Sequence, residues 1–219
     1  MSVRTEFLID HPTRNDCTPD ETWNAVRDPS HHYFLQADFA LSRLGPGPGE
    51  CLVIGSPLFE ALELGVAGWR VTYADVRMPP MGFPVVLQGD AGSMKFAPEF
   101  FDAASSSCVL CHAGMGRYGE PLVEDSDVKI LVNIHQALKP GSKAAITFGP
   151  VAAISMVARD GNRHRIYNLP IAREMASEAG FSILEEAILD ISTLKWIDKP
   201  DGVSMGKNYL SMLLEKAAG

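Results

Sequence analysis

The sequence is defined first by what it is short of. No apolar run approaches the ~18 residues that a membrane-spanning helix needs, so a membrane protein is not expected. The stretch MSVRTEFLIDHP is mixed and polar, unlike a secretory signal, and the expectation is a cytoplasmic protein. Lysine and arginine number 19 against 27 aspartates and glutamates, a net charge of −8 with no basic stripe. That balance disfavours nucleic acid and anionic membrane as partners and favours a small molecule. Only four cysteines occur, Cys17, Cys51, Cys108 and Cys111, and they are expected as reduced thiols. Cys108 and Cys111 form a C-x-x-C, but no second such pair completes a zinc site, so they read as packed thiols where a buried strand runs into a loop. No H-x-x-x-H or paired-carboxylate spacing supports a metal, and the adjacent His31 and His32 would point apart on a helix. The G-x-G-x-x-G fingerprint of dinucleotide-binding folds is missing as well.

What is present is enough for one sizeable domain: 219 residues, 46 % apolar, without repeats or low-complexity tracts. The first part reads as two helices. Thr18-Pro19-Asp20-Glu21 opens one with a cap, a proline and a reciprocal acid. Ser30 caps a second, with Phe34, Phe39, Leu41 and Leu44 as apolar positions, and the run Gly45 to Gly49 stops it. From there short apolar runs alternate with helical stretches. Strands are expected at 51–55, 70–76, 84–88, 101–110, 143–148, 181–189 and 209–215. Helices are expected at 58–68, 127–138 and 171–179. No clear helix separates the last two strands, so they can pair antiparallel. Such alternation argues for an α/β domain, a mostly parallel sheet covered on both faces. Ligands of such sheets sit at the carboxyl ends of the strands. Function should therefore gather after Gly55, at Asp75, at Asp90 and after Leu110.

Gly55 ends the first of these strands, where a missing side chain lets a ligand approach the backbone; a simple chain reversal is the plainer use. Asp75 follows about twenty residues on, where a carboxylate can accept both hydroxyls of an adenosine ribose. The plainer alternative is a solvated loop acid. Asp90, in GDAGSMKF, can accept a hydrogen bond from an adenine amino group, with Phe96, Met78 or Met81 as candidates to flank the ring.

The run GDAGSMKF…FFDAASSS and the turn Leu138 to Gly141 resemble class I S-adenosylmethionine-dependent methyltransferases, over about residues 50 to 190. A closer resemblance lies in HAGMGRYGEP (His112 to Pro121) and NRHRIY (Asn162 to Tyr167), which are similar to a methyltransferase-like family known only as a domain of unknown function. Two departures stand out: Cys111 replaces the glutamate that precedes the histidine in the wider pattern, and the second and third motif glycines after Gly55 are absent. The resemblance implies a Rossmann-like methyltransferase fold over residues 50–219, with a seven-stranded, mostly parallel sheet, an antiparallel last strand and helices on both faces. Residues 1–49 would form a helical lid or an oligomer contact, so a homodimer is conceivable.

By the same resemblance S-adenosylmethionine is the cofactor. Gly55, Ser56 and Glu60 would line its methionine end, Asp75 with Val76 its ribose, Asp90 and Ala91 its adenine, and Ser107 would lie beneath the sulfonium. His112 would stand where the acceptor enters, either as the base for an acceptor hydroxyl or as a brace on the loop backbone. Arg117 and Tyr118 would project toward the acceptor; Arg117 could grip a carboxylate or phosphate, or pair with Glu120 and fix the loop. The segment with His164, Arg165 and Tyr167 would close over the acceptor, or be a solvated basic loop. The acceptor so implied is a small polar metabolite, such as a sugar hydroxyl. Two other functions compete: a non-catalytic binding protein on the same fold, and a nicotinamide-dependent oxidoreductase.

Overall fold

A computed structural model describes residues 7–9, 32–77, 85–152, 156–158, 164–197 and 208–218. The chain runs β1 (Phe7–Ile9), α1 (His32–Leu44), β2 (Glu50–Ile54), α2 (Leu58–Val66), β3 (Arg70–Asp75), β4 (Val85–Gln88) and β5 (Phe101–Ser107). It continues with α3 (Ser126–Ala137), β6 (Leu138–Val151), β7 (Met156–Ala158), β8 (His164–Ile166), α4 (Leu169–Glu178), β9 (Phe181–Asp190), β10 (Lys195–Ile197) and β11 (Asn208–Lys216). The helix expected after Thr18 lies outside the described residues, as do Met78, Met81, Asn162 and Arg163.

The main sheet has the order β10-β9-β11-β6-β5-β2-β3-β4. The five strands from β6 to β4 are parallel. β11 runs antiparallel to both β6 and β9, so the expected pairing of the last two long strands forms. The expected count of seven is corrected to eight: Lys195–Ile197 folds back on β9 as an extra antiparallel edge strand. Those three residues were too short a run to carry a strand period of their own.

The central strands are buried along most of their length because both faces are covered. Alternate side chains of β2 serve two cores. Leu52 and Ile54 join Ala104, Ile130, Ile134, Ile146 and Phe148 on the α3 and α4 side. Cys51 and Val53 join Leu58, Ala61, Leu64, Val71 and Tyr73 under α2. α1 lies on this second face, with Phe39 and Ala40 packed against Ala145 and Leu213. The start of α4 is set by Asn168, whose side-chain oxygen accepts from the Ile171 N–H at 2.8 Å.

Two further departures matter for the site. β5 stops at Ser107 rather than Leu110 because Cys108 takes a positive φ of 58° and turns the chain away. A separate three-stranded sheet, β1-β7-β8, adjoins the end of β6, where Val151 and Tyr167 form a parallel bridge. It turns the expected loop at His164–Ile166 into a strand buried at all three residues.

Candidate functional site

Going from β4 to β5 the chain crosses to the far side of β2, and the crevice opens where that reversal separates the carboxyl ends of β2 and β5. The turn after β2 is held by Gly55, whose N–H donates to the Ala74 carbonyl at 2.7 Å. Its φ is +57°, and a Cβ there would lie 2.7 Å from Cγ2 of Val109. A glycine is therefore demanded twice, by its backbone angle and by the Val109 side chain leaning over it.

Beside this turn lies a cavity with about 530 Å³ of empty space including its open mouth. Ile54, Gly55, Ala74, Asp75, Val76, Asp90, Ala91, His112 and Tyr118 are all on its wall. A second, more polar recess adjoins it, bounded by Ser56, Tyr73, Ser107, Tyr33 and again Gly55, His112 and Tyr118. Most of the residues singled out from the sequence thus meet across β2, β3, β5 and the loop after β5.

Asp75 ends β3 with its side chain only 4 % exposed. Its one short contact comes from the Arg77 backbone N–H, 2.8 Å from Oδ1. The Arg77 guanidinium approaches at 3.3 and 3.4 Å, and the Tyr73 hydroxyl, which donates to the Ser56 carbonyl at 2.7 Å, lies 3.3 Å from Oδ2. Burial, together with the Asp75 carboxylate, pushes the Tyr73 phenol up, so it stays a donor. Asp90 is used differently: Oδ1 accepts from the Gly92 N–H at 3.0 Å and Oδ2 from the Ser93 hydroxyl at 2.8 Å. It braces its own turn as well as facing the cavity. Phe96, a candidate to flank an adenine, packs instead against the core beside Phe101, the ring centroids 6.5 Å apart. Ala91 and Ile130 supply apolar wall in the cavity.

Three of the sequence-derived site residues do not line either space. Glu60 is wholly buried beneath the sheet end, where it accepts a hydrogen bond from the Ser105 hydroxyl. Burial pushes its carboxyl up, against support from Ser105, Ser107 and Ser56. Its helix face points inward, toward these serines. His164 is buried in β8, its ring centroid 5.9 Å from that of His112. Arg117 lies over the outer side of Tyr118, 5.4 Å from the ring centre, and its Nη1 comes within 2.6 Å of His112 Nε2. The same Nη1 is 2.9 Å from His112 Nδ1. The expected pairing with Glu120 takes another form: Glu120 accepts from the backbone N–H groups of Arg117 at 3.1 Å and Tyr118 at 2.8 Å.

Arg165 overturns the solvated-loop reading of its segment, being 5 % exposed. Its N–H donates to the Cys111 carbonyl at 2.7 Å. Its guanidinium donates to the carbonyls of Ala113 and Glu124, the latter at 2.8 Å, and lies 3.6 Å from buried Asp127. Tyr167 adds a hydrogen bond to Asp127 at 3.0 Å. Arg165 thus ties β8 to both ends of the loop that carries His112 and Tyr118. Gly114 makes that loop possible, because a Cβ there would fall 2.2 Å from the Val123 carbonyl oxygen.

The sequence pattern did not single out Arg77, Cys108 or Tyr33, all of which reach the site. Cys108, expected as packed, faces the cleft and its thiol donates to Gln36 of α1 at 2.8 Å. Cys111 is buried against Gly149. Burial acts to raise its thiol, and Cys108 with the neighbouring histidines outweighs it, holding Cys111 well below the ordinary thiol range. Among the described residues no group of His, Cys, Asp and Glu is arranged to hold a metal ion, and no helix is long and apolar enough to cross a membrane.

No protein-family model matches the chain, and no curated protein matches its sequence. Solved structures do match its fold. The 1,6-didemethyltoxoflavin-N1-methyltransferase of Burkholderia thailandensis, bound to 1,6-didemethyltoxoflavin and S-adenosylhomocysteine, is 19 % identical over 95 % of this chain and 93 % of that one, with a TM-score of 0.68. An S-adenosylmethionine-dependent methyltransferase from Mesorhizobium loti is 14 % identical over 84 % and 97 %, with a TM-score of 0.60. The [4+2]-cyclase SpnF is 15 % identical over 85 % and 80 %, with a TM-score of 0.58. The fold is therefore the α/β, Rossmann-like fold of S-adenosylmethionine-dependent methyltransferases, and the cyclase shows the same fold under a different activity.

Proposed function

We propose that the chain binds S-adenosylmethionine in the larger cavity and transfers its methyl group to a small polar acceptor in the adjoining recess. The observation that carries this reading is Asp75, a buried carboxylate ending the second parallel strand, beside the Gly55 turn of the neighbouring strand, on the wall of a cavity in a methyltransferase-type fold. The residues suit the cofactor. Asp75 has a single short hydrogen bond, leaving acceptor capacity for two ribose hydroxyls. Ile54, Ala74, Ala91 and Ile130 offer apolar wall for a flat base, with Val76 and Asp90 at its edge. Ser56, whose oxygen accepts from the Ser107 N–H at 2.8 Å, holds the floor of the recess in place.

The bound sulfonium supplies an already activated methyl group, so the protein's task is alignment. The Gly55 turn and the Asp75 carboxylate fix the donor side. The loop held by Arg165 fixes the acceptor side, presenting His112 and Tyr118 to both spaces. A hydroxyl of a sugar or similar metabolite is the acceptor we favour. His112 would take its proton once the Arg117 guanidinium yields the ring nitrogen. Tyr33 of α1 closes the recess, giving the N-terminal segment the part of a lid.

Calorimetry with S-adenosylhomocysteine tests the reading. The wild type should bind, and Asp75→Ala should weaken binding by roughly tenfold or more, the worth of hydrogen bonds to a charged group. A wild type that takes up no S-adenosylhomocysteine overturns the proposal and leaves a binding protein of other specificity.

A further inference from the structure

Cys108 and Cys111 carry a chemistry that methyl transfer does not use. Both thiols are reduced. They stand at the C-x-x-C spacing across the bend where β5 ends, in unlike surroundings. Cys108 is half-buried and lies on the wall of both the larger cavity and the polar recess. Its φ of 58° is a costly angle for a residue with a side chain. Its Sγ lies 2.8 Å from Oε1 of Gln36 on α1. Cys111 is 1 % exposed and belongs to the core beneath. Its Sγ is 3.6 Å from the Cys108 carbonyl oxygen and is in hydrogen-bond contact with the Cys108 side chain. His112 and His164 lie close enough to favour its thiolate.

The thiol that a small oxidant in the cleft meets is therefore Cys108, and the sulfur best able to attack it afterwards is Cys111. We propose that Cys108 and Cys111 are a reversible oxidation site for hydroperoxides, whose disulfide unfastens α1 from the cleft. In the first step the Cys108 sulfur attacks one peroxide oxygen and the O–O bond breaks. With hydrogen peroxide, water leaves carrying the thiol proton, and Cys108 becomes a sulfenic acid, oxidised by two electrons as the peroxide is reduced. The Cys111 sulfur then attacks that of Cys108. The S–S bond forms, the S–O bond breaks, and the departing hydroxide takes up the proton that Cys111 shed on ionising. A dithiol reverses the reaction by exchange, becoming a disulfide itself. The effect on α1 runs through Gln36, which is 0 % exposed. Its Oε1 accepts from Cys108, the donor that the described residues give it, while its Nε2 lies 3.0 Å from Nδ1 of His32. A disulfide sulfur carries no hydrogen, so bond formation strands a buried acceptor on α1.

The test treats the full chain with hydrogen peroxide and follows it by peptide mass and amide hydrogen exchange. The tryptic peptide that follows Lys95 and ends at Arg117 holds both residues. It should lose two hydrogens, and dithiothreitol should restore them. Exchange within α1 should quicken by about fivefold or more in the oxidised protein, the scale of one buried acceptor left unpaired. Cys111→Ser should stop at the sulfenic acid, captured by dimedone. Cys108→Ser, whose hydroxyl can still donate to Gln36, should form no disulfide and keep its α1 exchange unchanged under peroxide. The proposal is overturned by a wild type that forms no bond between these two residues, or links either to Cys17 or Cys51 instead. It is equally overturned by Cys108→Ser protein that oxidises at Cys111 as fast as the wild type, or by a disulfide that leaves α1 exchange unmoved. S-adenosylhomocysteine enters no arm of the test, so this proposal and the cofactor reading stand or fall separately.

Discussion

Arg165→Met removes the clamp on the loop that shapes the acceptor side, and its cost follows from the groups it strands. The substitution keeps a flexible apolar stem but leaves the Asp127 carboxylate, 0 % exposed, without the guanidinium 3.6 Å away. The carbonyls of Ala113 and Glu124 are left without their donor as well. Breaking a buried pair by removing one partner costs about 3–5 kcal/mol. A domain of this length loses about 2–4 °C in Tm for each kcal/mol. The expected fall in Tm is therefore about 6–20 °C by scanning calorimetry. Arg165→Met/Asp127→Asn should recover part of it, because the neutral amide leaves no charge stranded while still accepting from Tyr167. S-adenosylhomocysteine affinity should fall with the first variant, since Gly114, His112 and Tyr118 all sit in the released loop. A Tm within about 3 °C of wild type, or a double variant no more stable than Arg165→Met, would refute the reasoning.

Glu60 gives a pH dependence of definite sign. Its folded-state pKa is raised by burial, so the folded protein holds this proton more tightly than the unfolded chain. Its contribution is intact below the ordinary carboxyl range and declines by about 1.4 kcal/mol per pH unit from there up to the raised value. Glu60→Gln should flatten the stability profile over that window in urea melts run from about pH 4 to about pH 8, and parallel profiles would exclude the effect. Gly55→Ala imposes a left-handed angle on a side chain at φ +57° and sets its Cβ against Val109. It should cost at least about 1–2 kcal/mol, and Val109→Ala in the same chain should relieve the overlap but not the backbone term, as denaturant midpoints would show. Once an acceptor is found, His112→Ala should lower kcat by about 10²-fold or more; full turnover across the pH range would end the role of His112 as base.

The parallel strands could be read from the sequence because their residues are buried on both sides of a sheet. CLVIG and the small-residue run after Phe101 have no polar alternation to disguise them. Gly55, Asp75 and Asp90 were legible for a related reason: in this topology the residues that end the strands face the crevice wherever helices return the chain. β10 and the β1-β7-β8 sheet were not legible, since strands of three residues are stabilised by the partners they pair with. The surroundings of Glu60 and Arg165 were not legible, because they are set by groups brought together across the fold. One is surrounded by serines under the sheet end, and the other is spent on carbonyls and Asp127.

The order of apolar and helical periods along the chain was sufficient to determine the α/β layering and the edge of the sheet at which a ligand would bind, because both follow from local patterning and from the handedness of parallel connections. Only the tertiary structure decided which charged groups reach the cleft. Arg77 meets both Asp75 and Tyr118, and Arg165 ties together segments more than fifty residues apart along the chain. Those are contacts between segments distant in sequence or between side chains whose direction the backbone sets, and no spacing along the chain encodes them.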